Sequence, residues 1–261
     1  MIRVAAYQAA PHSTFQARKE QITAALEKAD KQDIDFLCFP EGFLTGYYSK
    51  KEDATQNSLN IQDALFQDWL SEIARFRVTA ILGFNEREGD RLYDSAAIVE
   101  QGQLLGTQRK HYLYHDYFTP SCHFKTFQSK GVIFGIVICL DSNYFEPARI
   151  LALQGATILF TPMCNKVSPE HPFATRPPYY SHFVARAHEN RCWLVGADWV
   201  WENDGNLVCP GHSIIYDSDG NQITRSHEGK EQFVIADVSL NTLQKEKGKR
   251  VFGSKKLLEQ I

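Results

Sequence analysis

Short apolar runs recur along the chain, and their length constrains the fold more than any other feature. Eight runs have the length and composition of buried strands, at residues 2–8, 36–39, 79–84, 95–99, 104–108, 131–139, 157–161 and 193–198. None approaches the ~20 apolar residues that a membrane-spanning helix needs. The runs therefore predict a chain built around buried β-strands.

Helical patterns lie between several of these runs. Leu65, Trp69, Ile73 and Phe76 are spaced by four, four and three residues, which predicts one core-facing helix stripe. Further helices are predicted over residues 15–29, 147–154 and 179–190. Strands alternating with helices indicate a mixed α/β class.

Two hairpin signals argue against a purely parallel, doubly wound sheet. Gln101-Gly102 separates the runs 95–99 and 104–108, and Asp219-Gly220 follows an apolar run at 212–217. Strands covered by helices need burial on both sheet faces or the stacking of two sheets. We predict a single domain over residues 1–261. The lysine-rich stretch 239–261 is expected outside the core, either as a solvated helix or as an oligomerisation arm.

Charge and composition favour a small-molecule partner. The formal net charge is -3, with 43% hydrophobic and 23% charged residues, so no polybasic excess points to nucleic acid or to a membrane surface. The chain opens directly into a strand-like run without a signal-peptide pattern, and we expect a cytoplasmic protein.

The cysteines and histidines do not form a metal-site pattern. The six cysteines are scattered, with no C-x-x-C spacing, which disfavours a disulfide framework and a zinc-thiolate site; they are Cys38, Cys122, Cys139, Cys164, Cys192 and Cys209. His111 and His115 are four residues apart, but no third ligand completes a metalloprotease-like pattern. We expect no metal site.

Three ionisable residues follow predicted strands. Glu41, Lys110 and Cys139 each stand at or just after a strand end, where α/β folds build their sites. A nucleophilic thiol needs a base or a neighbouring cation, and Glu41 and Lys110 are candidates for these roles. The backbone N–H of Leu140 is a natural second donor to an oxyanion.

Other residues near these segments have a structural and a functional interpretation. Tyr47, Asn143 and Tyr144 are candidates for lining a substrate pocket, with simple packing as the alternative. Asp141 is expected to shape the turn that presents Cys139.

The segments around the three ionisable residues resemble a known family. Phe39-Pro40-Glu41, Gln108-Arg109-Lys110-His111 and Cys139-Leu140-Asp141 resemble, in that order, the active-site segments of the nitrilase superfamily of carbon-nitrogen hydrolases. Further similar segments lie at 145–149, 153–156, 186–190 and 211–213. The resemblance extends from the first strand to about residue 238.

The resemblance implies a four-layer α-β-β-α sandwich and pairing of sandwiches into homodimers or larger oligomers. It also implies that Glu41 is the general base, Lys110 the charge-stabilising residue and Cys139 the nucleophile of a thioester mechanism that releases ammonia. The substrate would be a small amide or N-carbamoyl compound, with nitriles ranking lower. No cofactor takes part.

The sequence departs from the family pattern at two places. Many relatives carry a second glutamate about a dozen residues after the lysine, whereas residues 119–124 contain no carboxylate; Ser121, Cys122 or His123 could take its place. Asp198 stands where relatives often have asparagine, and we expect a solvated or salt-bridged side chain.

Two other functions stay open at this stage. One is an unrelated cysteine hydrolase that pairs Cys139 with a histidine such as His111 or His182. The other is a regulatory module that kept the fold and lost turnover, which the absence of the second glutamate permits.

Overall fold

Two six-stranded sheets form the centre of the protein. The computed structural model describes residues 1–168, 176–202, 207–239 and 241–242; for 176–180 and 201–202 it describes the backbone alone. In order across the first sheet lie β14 (Gln232–Val238), β1 (Ile2–Gln8), β2 (Phe36–Cys38), β3 (Thr79–Glu88), β4 (Arg91–Glu100) and β5 (Gln103–Arg109). Across the second lie β13 (Gln222–Arg225), β12 (Ile214–Tyr216), β9 (Trp193–Ala197), β8 (Ile158–Pro162), β7 (Val132–Ile136) and β6 (Phe127–Ser129).

Both sheets are mixed, as the hairpin signals predicted. Strands β1, β2 and β3 run parallel, as do β7, β8 and β9, while the outer strands pair antiparallel. A short separate ribbon pairs β10 (Val200–Glu202) with β11 (Val208–Pro210). At the Gln101-Gly102 turn both residues have positive φ, at 47° and 74°, which suits a tight hairpin between β4 and β5.

The two sheets stack face to face around an apolar core. Phe36 of the first sheet contacts Phe134 and Phe160 of the second, with ring centroids 5.3 and 5.6 Å apart, and all three side chains are fully buried. Aromatic pairs at such distances add to the free energy of burial. The contact between sheets therefore forms the middle of a sandwich.

Helices cover the outer face of each sheet. Helices α1 (Phe15–Lys31) and α3 (Ala64–Glu72) pack on the first sheet, and α4 (Phe145–Leu153) and α5 (Arg176–Asn190) pack on the second. A short helix α2 (Lys51–Gln56) follows the loop after β2. Layers of helix, sheet, sheet and helix confirm the expected α-β-β-α sandwich.

Local details differ from the predicted boundaries. Strand β3 continues to Glu88 because it pairs with β4 along its whole length. Helix α3 ends at Glu72, and Leu65 is 50% exposed while Phe66 is fully buried, so the predicted stripe was wrong by one position at its start. Most of 239–261 lies outside the described residues, and so does the proposed arm. No helix in the described part of the chain is long and apolar enough to cross a membrane.

Candidate active site

The stacking of the two sheets brings Glu41, Lys110 and Cys139 together. Glu41 follows β2 and Lys110 follows β5 in the first sheet, whereas Cys139 follows β7 in the second. The Glu41 backbone N–H donates to the Met163 carbonyl at 3.2 Å, which joins the loops of the two sheets. The site is thus built across the sandwich interface.

Lys110 lies between two buried carboxylates. Its Nζ hydrogen-bonds Oε1 of Glu41 and donates to Oδ2 of Asp94 at 3.0 Å, and all three side chains are at most 5% exposed. Oε2 of Glu41 and Oδ1 of Asp94 are buried without a hydrogen-bond partner among the described residues. This cluster therefore has two acceptor oxygens left over, which is unusual for buried carboxylates.

Burial and charge shift the pKa values of the cluster in opposing ways. Burial raises the pKa of Glu41 well above its ordinary value, and Lys110 only partly offsets this. Burial alone would lower the pKa of Lys110, but Asp94 and Glu41 together raise it above its ordinary value. Lys110 is therefore a fixed positive charge, and Glu41 is a carboxylate of increased basicity.

The Cys139 thiol responds to both neighbours. Burial raises its pKa well above the ordinary value, Glu41 raises it further, and Lys110 and the backbone N–H of Cys164 lower it. The resting thiol is thus protonated at neutral pH. A thiol in this state needs a base in contact to act as a nucleophile, and Glu41 is a carboxylate that neighbours it.

The turn that presents Cys139 is held in a strained conformation. Cys139 begins a short 3-10 helix (Cys139–Asn143) with φ of 43°, a region that non-glycine residues seldom occupy. Arg186 of helix α5 donates to the carbonyls of Ser142 and Asn143 at 3.1 and 3.2 Å. Contacts of this kind offset a backbone cost of about 1–3 kcal/mol, as expected where strain is retained at a functional site.

Asp141 connects this turn to the loop after Lys110. Its fully buried carboxylate accepts the backbone N–H groups of His111 at 3.1 Å and Tyr112 at 2.7 Å. Burial raises the pKa of Asp141 to about 7, and these two N–H groups act against the shift. The Asp141 side chain therefore connects the turn that carries Cys139 to the segment after Lys110, 29 and 30 residues away in the chain, whereas a local role in the turn was expected.

A cavity of about 400 Å³ opens beside the thiol. Cys139 and Leu140 line it together with Tyr47, Asn143 and Cys164. Glu41 and Lys110 are buried and do not contribute to this lining. The size suits a small molecule.

The structure separates the other sequence candidates. Tyr47 and Asn143 line the cavity, whereas Tyr144 lies outside its lining, 42% exposed and stacked on Tyr112 at 3.6 Å. Packing against Tyr112, rather than substrate, accounts for the position of Tyr144.

None of the three candidates for the place of the second glutamate lines the cavity. Cys122 and His123 are exposed, and Ser121 is half-buried and away from the lining. His111 also lies outside it, with Nδ1 against the Ser121 carbonyl. His182 and His115 do line the cavity.

Asp198 is fully buried rather than solvated, and Nδ1 of His212 lies 3.9 Å from its Oδ2, which makes a salt bridge when the imidazole is protonated. Its carboxylate accepts the backbone N–H groups of Asn165, Trp199 and His212 at 2.9–3.0 Å and the side-chain amide of Asn165 at 3.2 Å. The Trp199 indole N–H in turn donates to the Glu41 carbonyl at 2.7 Å. Asp198 thereby supports the loop that carries Glu41.

Sequence reasoning missed Asp94, His115 and Trp199. A carboxylate within the apolar strand β4 was the available signal for Asp94, since a charge in such a run is expected to have a buried partner. His115 and Trp199 gave no comparable signal. Within the described part of the chain, no group of three or more potential ligands could hold a metal ion.

The chain is similar to known hydrolases over most of its length. A family model described as carbon-nitrogen hydrolase matches residues 3–247. A nitrilase from Pyrococcus abyssi is 31% identical over 82% of this chain and 80% of its own length, and an (R)-stereoselective amidase from a Pseudomonas species is 28% identical over 78% and 73%.

The fold matches a solved structure as well. The carbon-nitrogen hydrolase from Helicobacter pylori G27 superposes with a TM-score of 0.85 over 98% of both chains, at 22% identity. The extent of the family match and the identity to the Pyrococcus nitrilase lead to one conclusion: this chain belongs to the carbon-nitrogen hydrolase family of the nitrilase superfamily.

Proposed function

We propose that this carbon-nitrogen hydrolase cleaves an amide or N-carbamoyl group of a small molecule through a thioester on Cys139. One observation carries the proposal. Glu41, Lys110 and Cys139 converge from three strand ends, with the thiol in a cavity of about 400 Å³ and the charged pair buried behind it. The amidase among the relatives supports the same reaction class.

The first half-reaction forms the thioester. Glu41 takes the Cys139 proton as the sulfur attacks the carbonyl carbon, and the carbonyl π electrons move onto oxygen. Lys110 and the backbone N–H of Leu140 stabilise this oxyanion. When the carbonyl re-forms, the C–N bond breaks and the proton on Glu41 passes to the departing nitrogen. Ammonia or an amine leaves.

The second half-reaction restores the enzyme. Glu41 takes a proton from a water molecule as its oxygen attacks the thioester carbon. Collapse of the second tetrahedral intermediate breaks the C–S bond, and the proton returns from Glu41 to the Cys139 sulfur. Lys110 keeps its charge throughout, which agrees with the raised pKa that its two carboxylate neighbours give it.

The test is ammonia release from a panel of carboxamides, ω-amides, N-carbamoyl compounds and nitriles. We expect turnover with amides or carbamoyl compounds and none after Cys139→Ala. Cys122→Ala is the matched control, because Cys122 is exposed and lies outside the cavity. Turnover that survives Cys139→Ala overturns the proposal, and turnover of nitriles alone replaces the substrate class.

Thiol labelling separates an active enzyme from a regulatory module that has lost turnover. With base assistance, Cys139 should react with a haloacetamide at pH 7 faster than the other five thiols, of which four are buried. A slow Cys139 together with no turnover across the panel favours the regulatory alternative. Glu41→Gln separates the remaining option, since a hydrolase that uses His182 as its base keeps its activity in that variant.

Cellular setting and assembly stay predictions. We expect a cytoplasmic protein that acts on a small amide-type substrate without a nucleic-acid or membrane partner, and that self-associates as a homodimer or larger oligomer. Phe145 and Ile150 of helix α4 are 55% and 39% exposed, which suits a helix that pairs with a second copy. Sedimentation measurements test the assembly.

A further inference from the structure

His115 lies in the wall of the cavity that contains Cys139, five residues after Lys110. Its Nε2 is buried and has no hydrogen-bond partner among the residues that the structure describes. A buried ring nitrogen without a partner costs stability, and such a cost is retained mainly at functional sites.

Aromatic neighbours fix the ring of His115. Tyr117 stacks on it with centroids 5.1 Å apart and planes within 13°, and Tyr47 and Tyr114 pack at 5.5 and 5.0 Å. The Tyr117 hydroxyl donates to the Tyr48 carbonyl, so the stacking partner is itself held in place. The imidazole is therefore oriented before any ligand binds, which lowers the entropy cost of using it.

The surroundings keep this imidazole neutral. Burial lowers the pKa of His115 below its ordinary value of 6.5, and the nearby charges of Lys166 and Lys110 lower it further. Asp94 and Asp116 act in the opposite direction and do not reverse the shift. A neutral imidazole has one N–H donor and one acceptor, which suits hydrogen bonding to an uncharged amide.

We propose that His115 contacts the substrate directly and positions the amide group over Cys139 through a hydrogen bond of its imidazole. The inference rests on the proposed function and adds a residue to it. His115 adds a polar group to the cavity wall, which Glu41 and Lys110 do not line. None of the residues of 119–124 considered for such a role reaches the cavity.

Paired variants at two histidines test the contact. His115→Phe keeps an aromatic ring for Tyr117 and removes both nitrogens, and His115→Gln keeps a hydrogen-bonding group. His123→Phe is the matched control, because His123 is exposed and lies outside the cavity. On the best substrate of the amide panel, we expect His115→Phe to lower kcat/KM at least about tenfold, the size of one lost hydrogen bond. His115→Gln should retain more activity, and His123→Phe should stay within about twofold of the parent.

A second readout does not depend on turnover. Iodoacetamide carries an amide and alkylates Cys139 with loss of iodide, whereas iodoethanol has no amide. If His115 binds the amide, His115→Phe slows alkylation by iodoacetamide and leaves alkylation by iodoethanol unchanged. A variant that is merely misfolded would change both rates.

The pH profile gives a third readout. Protonation of His115 adds a positive charge beside Lys166 and removes the acceptor, so the parent should lose kcat/KM as pH falls through a value below 6.5. That step is expected to be absent from His115→Phe. Activity and iodoacetamide rates of both His115 variants within twofold of the parent would overturn the inference. Such a result leaves the proposed function intact as long as Cys139→Ala is inactive.

Discussion

Arg109 and Lys110 are consecutive residues, yet they lie in ion clusters of opposite character. Arg109 donates to both oxygens of Glu86 at 2.9 and 2.6 Å and to Glu88 at 3.1 Å, and it is a quarter exposed. Lys110 is buried between Glu41 and Asp94, and each of these carboxylates keeps one oxygen without a partner.

The two clusters differ in whether every carboxylate oxygen of the buried residues has a hydrogen-bond donor. Both oxygens of Glu86 have a donor in Arg109, and Ser95 adds a hydrogen bond at 2.7 Å to one of them. The acceptors without a partner around Lys110 lie near the Cys139 thiol, which loses its proton in the proposed mechanism. Hydrogen-bonded charges stabilise the fold. An acceptor without a partner costs stability, but it remains able to take a proton.

Glu41→Gln should give the largest effect on activity, because it changes the cluster that contains Lys110. Glutamine cannot take the thiol proton, so we expect kcat to fall by about 10²–10⁴-fold. The free energy of unfolding should stay equal or rise, because an unsatisfied buried carboxylate is replaced by a neutral amide. Ammonia release and denaturant unfolding measure the two quantities. Loss of folding with unchanged specific activity would contradict the assignment.

Lys110→Met should affect stability as well as chemistry. It leaves Glu41 and Asp94 buried without their shared cation, a change that typically costs about 3–5 kcal/mol. The thiol also loses the charge that lowers its pKa, so the pH at which Cys139 becomes half-alkylated should rise. Chemical denaturation and the pH dependence of haloacetamide labelling test the two effects. An unchanged labelling profile would remove Lys110 from the site.

Asp198→Asn tests another buried carboxylate, whose two oxygens accept hydrogen bonds from four N–H groups. Asparagine has one acceptor oxygen for the four donors, so at least one buried N–H loses its partner at about 1–3 kcal/mol. Urea unfolding at pH 7.5 measures the loss. Unchanged stability would mean that the carboxylate is not the acceptor that these N–H groups require.

The same residue predicts a pH dependence. Burial raises the pKa of Asp198 from 3.8 to about 7, so between these values the folded protein holds more protons than the unfolded chain. The contribution of Asp198 to stability is therefore present at low pH and is lost as pH rises toward 7. Asp198→Asn should flatten the curve of unfolding free energy across that window. Asp141, with the same direction of shift, should keep the remaining slope.

Arg109→Lys should give the smallest effect. Lysine keeps the charge but loses the planar two-point contact with Glu86, and the site is partly exposed, so we expect a loss of about 1 kcal/mol. The specific activity should match that of the parent, because Glu86 and Arg109 lie outside the cavity lining. A drop in kcat comparable to that of Lys110→Met would erase the distinction between the two clusters.

Sequence reasoning located the strands and the residues at their ends because those signals are local. Strand β1 was predicted over 2–8 and observed over Ile2–Gln8, and Glu41, Lys110 and Cys139 were recognised at strand ends. The partners of Asp94 and Asp198 could not be read from the sequence, because Lys110, Asn165 and His212 lie 14 or more residues away from them in the chain. The packing role of Tyr144 has a similar origin, since its stacking partner Tyr112 belongs to a distant segment that Asp141 connects to the turn.

The α/β class, the strand ends at which Glu41, Lys110 and Cys139 stand, and the family to which the chain belongs could all be predicted from the sequence alone. Short-range periodicity and contiguous motifs contain that information. The bonding of Lys110 to two carboxylates and the burial of Asp198 could be seen only in the folded structure. The same holds for the cavity wall, which His115 lines and residues 121–123 do not. Those outcomes depend on sheet stacking and burial, which set desolvation and distances between segments far apart in the chain.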